Sequence, residues 1–323
     1  MFGLKPKTVH YWYKEELSDY RRDIAAGKWG LKKITIIDKT SGEVLKEKPI
    51  PIAKAENFGT HMTIDEKQIS KKMYTIMTNT KTGKIALLVP TLKTEELKEV
   101  MEMYLPEVLE QIKSVSCDMS PSYKKFCKEN FPNTQLVIDK FHVIKHLMDA
   151  LQQVRKQIKT QYLNLETTLV KSDTEAQYTH WSYIELLERS RYIFFKMQPE
   201  WEEDENEMMH QLFERFPVLE TAYQLTQKLR LWYNGKNIGK SIDRLEQQLY
   251  NWYDEVNQSK IAAFRGVRKM IEKHQDDIMN YFKEGQTNAK AENMNGKIQR
   301  FLANNFGIKD RDFFMYRVAG YFA

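Results

Sequence analysis

The chain has 323 residues, of which 41% are hydrophobic and 12% aromatic, a composition that excludes wholesale disorder and allows either two domains or one core with a large insertion. Its two cysteines, Cys117 and Cys127, exclude a disulfide framework and a four-cysteine zinc site. Fifty lysines and arginines against 44 aspartates and glutamates give a net charge of +6, compatible with a nucleic-acid partner but not requiring one. With no signal-like N-terminal stretch and no run of about 18 apolar residues, the expectation is a cytoplasmic chain with no membrane partner.

Leu4 to Tyr13 reads as a short helix with Pro6 near its start. Thr8, Val9 and Trp12 fit either the second helix of a helix-turn-helix or an ordinary amphipathic helix. Residues 33–50 then read as a hairpin, Ile34 to Ile37 and Glu43 to Leu45 joined through Asp38 and Gly42. A richer β region follows: His61 to Asp65, Met73 to Met77 and Lys84 to Val89, with a turn at Asn79 to Gly83. A helix is predicted from Thr94, as N-cap, to Leu109, with Leu97, Val100, Met101, Tyr104 and Leu105 at helical spacing. Val115 to Asp118 is a short strand ending on a carboxylate, Pro121 opens a helix to Asn130, and Gln135 to Asp139 is the last strand.

From Phe141 to Gln286 the pattern is helical, with stripes at Leu147, Leu151, Val154 and Ile158, and at Leu225, Leu229 and Trp232. Trp181, Trp201, Trp232 and Trp252 lie in this stretch, Pro199 to Glu207 reads as an acidic connector, and Asn234-Gly235 as a turn. Three antiparallel strands followed by strands joined through helices is the order of a ribonuclease-H-like mixed sheet. The expected fold is therefore α/β: such a sheet with a large all-α insertion before the last helix of the core. The expected divisions are an N-terminal helix and hairpin region at 1–55, a first part of the core at 56–145, the insertion at 146–283, and the last core helices at 284–323.

Phosphodiester chemistry with two metals needs carboxylates converging on one point, and magnesium favours oxygen ligands. Asp65 on the first strand of the sheet and Asp118 at the end of the strand after the first helix are suitably placed. A third carboxylate is expected from a helix after the insertion. The segment Asn288 to Ile298 supplies it, with Glu292, Asn295 and Gln299 on one face and Asn288 one turn before.

Five segments carry a resemblance. Asp118-Met119-Ser120-Pro121-Ser122-Tyr123 resembles the Asp-Met-Ser-x-x-Tyr segment of the ISL3-type insertion-sequence transposases, and Asp139 to Lys145 resembles their Asp-Arg-Phe-His-Val-x-Lys segment. Thr63 to Glu66 is similar to their Ile-Asp-Glu strand, Glu292 to Ile298 to their Glu-x-x-Asn-x-x-Ile helix, and Asp312 to Arg317 to their terminal Phe-x-x-Arg block. The resemblance runs from about residue 58 to the end. It implies a ribonuclease-H-like fold and a DDE catalytic set of Asp65, Asp118 and Glu292. It also implies Mg2+ (or Mn2+) and metal-dependent hydrolysis at transposon ends, then attack of the freed 3′-hydroxyl on target DNA. The implied partners are inverted-repeat ends and target DNA, with a homodimer on DNA and a nucleoid-associated location.

Two departures stand out. The family's zinc-binding segment and helix-turn-helix are not present in full, so a separate helix-turn-helix protein is an expected partner. Position 140 is Lys where the family has Arg, which keeps the charge and loses the forked donor.

Several residues compete for roles. Asp38 rivals Asp65 but sits in a turn with Gly42, and Asp139 reads either as a fourth ligand or as a cap orienting His142. His142 and His146 have zinc-compatible spacing without the zinc-protease glutamate, which favours contact with phosphate. Lys140, Lys145, Arg155, Lys297 and Arg300 are candidate DNA contacts, with Lys156 and Lys159 on the same long helix as Arg155. Trp232 and Tyr233 read either as a base-stacking pair or as core.

Overall fold

A computed structural model describes residues 5–38, 40–169, 182–284, 289–305, 308 and 310–323. Asn288 and Trp181 lie outside the described residues, as does the side chain of Glu292. The chain is mixed α/β and divides into two compact units, residues 1–139 with 286–323, and residues 140–285.

In chain order the first unit begins with α1 (Pro6–Trp12) and α2 (Tyr20–Ala25), joined through a wider π-helical turn. A two-stranded sheet follows, β1 (Lys33–Ile37) paired antiparallel with β2 (Val44–Pro49). Then come β3 (Ile52–Ala53), β4 (His61–Ile69), β5 (Lys72–Asn79) and β6 (Ile85–Val89). After α3 (Thr94–Tyr104), β7 (Ser114–Cys117), α4 (Pro121–Asn130) and β8 (Gln135–Ile138), the chain enters the second unit. That unit contains α5 (Lys140–Leu169), α6 (Tyr183–Ile193), α7 (Glu203–Arg215), α8 (Pro217–Trp232), α9 (Ile242–Ser259), α10 (Ala262–Lys273) and α11 (Gln275–Glu284). The chain then returns to the first unit with α12 (Ala289–Asn304) and α13 (Arg311–Phe322).

The main sheet has six strands in the order β3-β6-β5-β4-β7-β8. β3 to β4 pair antiparallel, while β4, β7 and β8 run parallel. Parallel neighbours need crossovers, and α3 and α4 supply them. Strand alternation sends Met62, Ile64, Val115 and Cys117 to one face, where α3 and α4 cover them through Leu97, Val100, Met101, Tyr123 and Phe126. The other face carries Ile69, Tyr74, Ile76 and Leu88 and is covered by Met294 and Ile298 of α12 and by Phe314, Met315 and Val318 of α13.

The β4–β5 hairpin turns at Ser70 and Lys71, whose φ angles of 45° and 64° are both left-handed, as the tight hairpin turn demands. The Arg311 guanidinium donates to the Ser70 carbonyl at 3.0 Å and fixes the turn. At the N-terminus, His10, Tyr13 and Tyr20 pack on Phe313, so α1 and the turn after it dock on α13.

Four local features differ from the sequence reading. The helix predicted to Leu109 ends at Tyr104, because Pro106 cannot continue it and opens a short 3-10 turn instead. Its N-cap is Lys93 with no side-chain bond, and Thr94 is its first helical residue. β3 adds a sixth strand too short for a periodic signal. The acidic stretch ending at Glu207 is mostly helix, since Glu202 and Glu205 form a capping box at the start of α7, where acidic groups meet the positive end of the helix dipole.

Candidate active site

The β4–β7 register pairs Thr63 with Ser116, and the β7–β8 register pairs Cys117 with Ile138. Continued to the strand ends, these registers set Asp65, Asp118 and Asp139 level on three adjacent parallel strands, roughly 4.8 Å from one strand to the next. Alternation puts all three on the face that α12 covers. The sequence folds this way because Ile64, Cys117 and Ile138 each lie one step from an aspartate, so burying them on one face turns the carboxylates to the other side.

Asp65 is half-buried, and its carboxylate is oriented from two directions. Its Oδ1 accepts the backbone N–H of Glu66 at 2.8 Å, and its Oδ2 accepts the Asn295 Nδ2 at 3.0 Å. Asp118 lies just past β7, with Oδ1 accepting the Ser120 N–H at 2.8 Å, a local turn that fixes it ahead of α4. Asp139 is buried at 8% exposure and its N–H donates to the Cys117 carbonyl at 2.9 Å.

On α12, Asn295 hangs over Asp65, while its own Oδ1 is buried with no hydrogen-bond partner. Glu292 belongs to the same helix, three residues earlier. Lys297 and Arg300 on α12 are exposed.

The sequence reading missed two neighbours of this row. Glu66 has its carboxyl held above the ordinary value, first by desolvation and then by the negative charges of Asp118 and Asp65. Lys67 is buried at 8% exposure, and its Nζ donates to the main-chain carbonyl of Asn295 at 3.1 Å. Burial pulls its ammonium below the ordinary lysine value, and the charge of Asp65 works the other way. The signal was available: Thr63, Asp65 and Lys67 alternate on one face, but the strand as read ended at Asp65 while β4 runs on to Ile69.

Other candidates fall elsewhere. Asp38 lies in the separate two-stranded sheet's turn, where its Oδ1 accepts the N–H groups of Thr40 and Ser41, both at 2.8 Å. In the helical unit the expectation of DNA contact by Arg155 is corrected: its side chain is 5% exposed, and it donates to Gln152 Oε1 and the Leu187 carbonyl. Lys159 pairs with Glu188, and Lys140 is half-buried over the Tyr233 and Tyr281 rings. Lys145, His146 and Lys156 are exposed, and His142 is partly so.

Of the two readings of Trp232 and Tyr233, core holds and base stacking does not. Both are buried, the Trp232 indole donates to the Leu245 carbonyl at 2.9 Å, and both rings pack on Phe282. Among the described residues, no group of three His, Cys, Asp or Glu side chains stands close enough to hold a metal ion. No helix among them is long and apolar enough to cross a membrane.

Comparison with known proteins bears on what this row of aspartates is. The profile of the ISL3 group of DDE transposases, described as "Transposase", matches residues 62–318. The chain belongs to this transposase family. The match opens inside β4 and closes inside α13, so it takes in the whole carboxylate row and the helix α12 that covers it. A curated relative, the transposase for insertion sequence element IS1001 of Bordetella parapertussis, is 21% identical over 236 residues. The aligned region is 72% of this chain and 53% of the relative, so the chain spans about half that protein's length. No solved structure matches.

Proposed function

We propose that this transposase-family chain carries the catalytic core that cleaves transposon ends and joins them to target DNA by a metal-dependent DDE mechanism. The observation that carries the reading is the level row of Asp65, Asp118 and Asp139 with Asn295 poised over it. A structural role does not call for carboxylates side by side on adjacent strands. A site for divalent cations does.

The residues present fit Mg2+ or Mn2+. All donors are hard oxygens, and the buried Asn295 Oδ1 has no partner within the protein, which is the condition of a ligand or water acceptor awaiting its mate. Asp65, Asp118 and Glu292 would hold the ions, with Asp139 and Asn295 completing or orienting the set. Bound there, two such ions supply charge neutralisation at the scissile phosphate and an activated oxygen nucleophile.

The chain's own residues do the rest. The Ser120 N–H and the Asn295 amide each donate to one carboxylate, Asp118 and Asp65 respectively, and so orient the row ahead of DNA. Exposed Lys297 and Arg300 on α12 are placed to meet phosphate, and Lys145 with His142 is the corresponding proposal for α5.

The sheet order, antiparallel through β4 and parallel beyond it, supports a ribonuclease-H-like reading of the first unit. The helical unit interrupts that core between β8 and α12, as the insertion of this reading requires. Because two transposon ends must be brought together, the reading includes a homodimer on DNA in the bacterial nucleoid. A separate helix-turn-helix protein is the proposed reader of the repeats.

The test is cleavage of a duplex carrying the inverted repeat, followed by joining of a free 3′-hydroxyl end to plasmid DNA. The reading predicts both steps in Mg2+ or Mn2+, and neither in Asp118→Ala or Glu292→Ala. Cleavage without joining would make the chain a nuclease, and specific binding without cleavage would make it a regulator.

A further inference from the structure

Lys67 is an anomaly on physical grounds. An ammonium buried at 8% exposure is costly unless it is paired, and the same sheet face accepts Ile69 two residues on with no such cost. Lys67 lies outside the segments that carry the family resemblance, and nothing in the transposase reading assigns it a role. Its geometry does. Asp65 and Lys67 point to the same face of β4, and Asn295 of α12 touches both through different groups. The Asn295 carbonyl accepts from Lys67 Nζ at 3.1 Å, and the Asn295 side-chain amide donates to Asp65 Oδ2 at 3.0 Å.

We propose that Lys67 is a positioning residue for the metal site, anchoring the main chain of α12 at Asn295 so that one helical turn is held against Asp65. The proposal rests on the metal-dependent reading given above. Lys67 itself reaches neither DNA nor metal. It acts through Asn295, whose main chain it grips and whose amide sets the orientation of the Asp65 carboxylate.

The anchor matters because the other ties of α12 to the sheet, the apolar packing of Met294 and Ile298 and the side-chain bond from Asn295 to Asp65, do not themselves grip the helix main chain against rotation or sliding. A directional bond from a buried donor fixes both. It fixes them at residue 295, one helical turn from Glu292, so the same bond sets the turn that carries the third acidic residue. The buried, unpartnered Asn295 Oδ1 is held by the same grip, which keeps an acceptor desolvated and ready beside the acidic row.

Two roles for Lys67 predict opposite signs. A mere counter-charge to Asp65 competes with a cation, so its removal tightens metal binding. A positioning anchor pre-organises the ligands, so its removal weakens it. The experiment measures Mn2+ affinity of the whole chain by the electron-paramagnetic-resonance signal of free Mn2+, without DNA. It compares wild type, Lys67→Met, Lys67→Gln, Lys67→Arg and Asp118→Asn, with circular dichroism as the folding control.

Positioning predicts about 10-fold weaker Mn2+ binding in Lys67→Met, the scale on which outer-shell partners act on metal sites. Lys67→Arg, which keeps buried donors, is expected within about threefold of wild type. If Lys67→Met does not fold, Lys67→Gln carries the test, with a loss of about threefold or more. Unchanged or tighter binding in the folded neutral variants overturns the anchor. If wild type binds no Mn2+, or Asp118→Asn binds as well as wild type, the acidic site itself is wrong and the anchor falls with it.

Discussion

The two units treat their buried polar side chains differently. In the helical unit these groups stabilise the fold. The Trp232 and Trp252 indoles and the Arg155 guanidinium donate to main-chain carbonyls of neighbouring helices, and the Thr226 hydroxyl donates to the Ala222 carbonyl. In the sheet unit Asp65, Asp118, Asp139, Lys67 and Asn295 gather along one edge of a sheet face, with like charges level with one another and the Asn295 Oδ1 left without a mate. Orphans exist in the helical unit too, at Trp201 Nε1 and Gln211 Oε1, but no row of like charges accompanies them. A buried polar group satisfied by a carbonyl and remote from any row of like charges belongs to the fold. Like charges set level on adjacent strands mark where the fold has been arranged for something other than its own stability.

The comparison is sharpest at Asp118. Asp118→Asn keeps the size and the turn-forming acceptor for Ser120 while removing one negative charge from the row. Cleavage is expected to fall by about 1,000-fold or more, while thermal stability is unchanged or rises, since like charges no longer face one another. A variant equally active in a gel-based cleavage assay would break the distinction between the two units.

Trp232→Ala tests the other side. As core it should cost about 3–5 kcal/mol of stability in denaturant titration, with DNA affinity retained under conditions where the variant stays folded. A stable variant that had lost only end binding would restore the base-stacking role that its burial contradicts. The effect expected for Asn295→Ala lies between these two kinds. Loss of the amide on Asp65 should cut cleavage by about 10- to 100-fold with a small change in melting temperature. A large melting shift with normal activity in the folded fraction would move Asn295 to the structural class.

The smallest effect is local. Lys71 holds a left-handed φ of 64°, and Lys71→Gly should stabilise the chain by about 1 kcal/mol because glycine meets no Cβ penalty there. No change in a chemical melt would mean that the turn is not strained.

Much of this was legible before any coordinates. Hydrophobic alternation located β4 to β8, and Pro121 marked the start of α4. Asp65 and Asp118 could be chosen because each ends or punctuates a strand whose apolar residues face the other way. What escaped the sequence has physical reasons. β3 is two residues long and has no period to detect. Arg155 and Lys145 look alike on a helix until packing with α6 buries one and leaves the other exposed. Lys67 is a charged residue in a strand position normally read as solvent-facing, and only the arrival of α12 from more than two hundred residues away makes it internal. Glu292 could be chosen from its polar helical face after the insertion, and the family resemblance then singled it out from the other acidic residues.

The most direct test of the central claim puts a reactive ion where Mg2+ is proposed to sit. Fe2+ substituted into the folded chain, with ascorbate and peroxide, cuts polypeptide within a few ångströms of the bound ion, and the fragments are sized by mass spectrometry. The account predicts cuts near Asp65, near Asp118 and near Glu292, all suppressed by excess Mg2+ and lost in Asp118→Asn. Cuts confined to another place, such as the Asp38 turn or the His142–His146 segment, would contradict the assignment of Asp65, Asp118 and Glu292 as the metal-holding set.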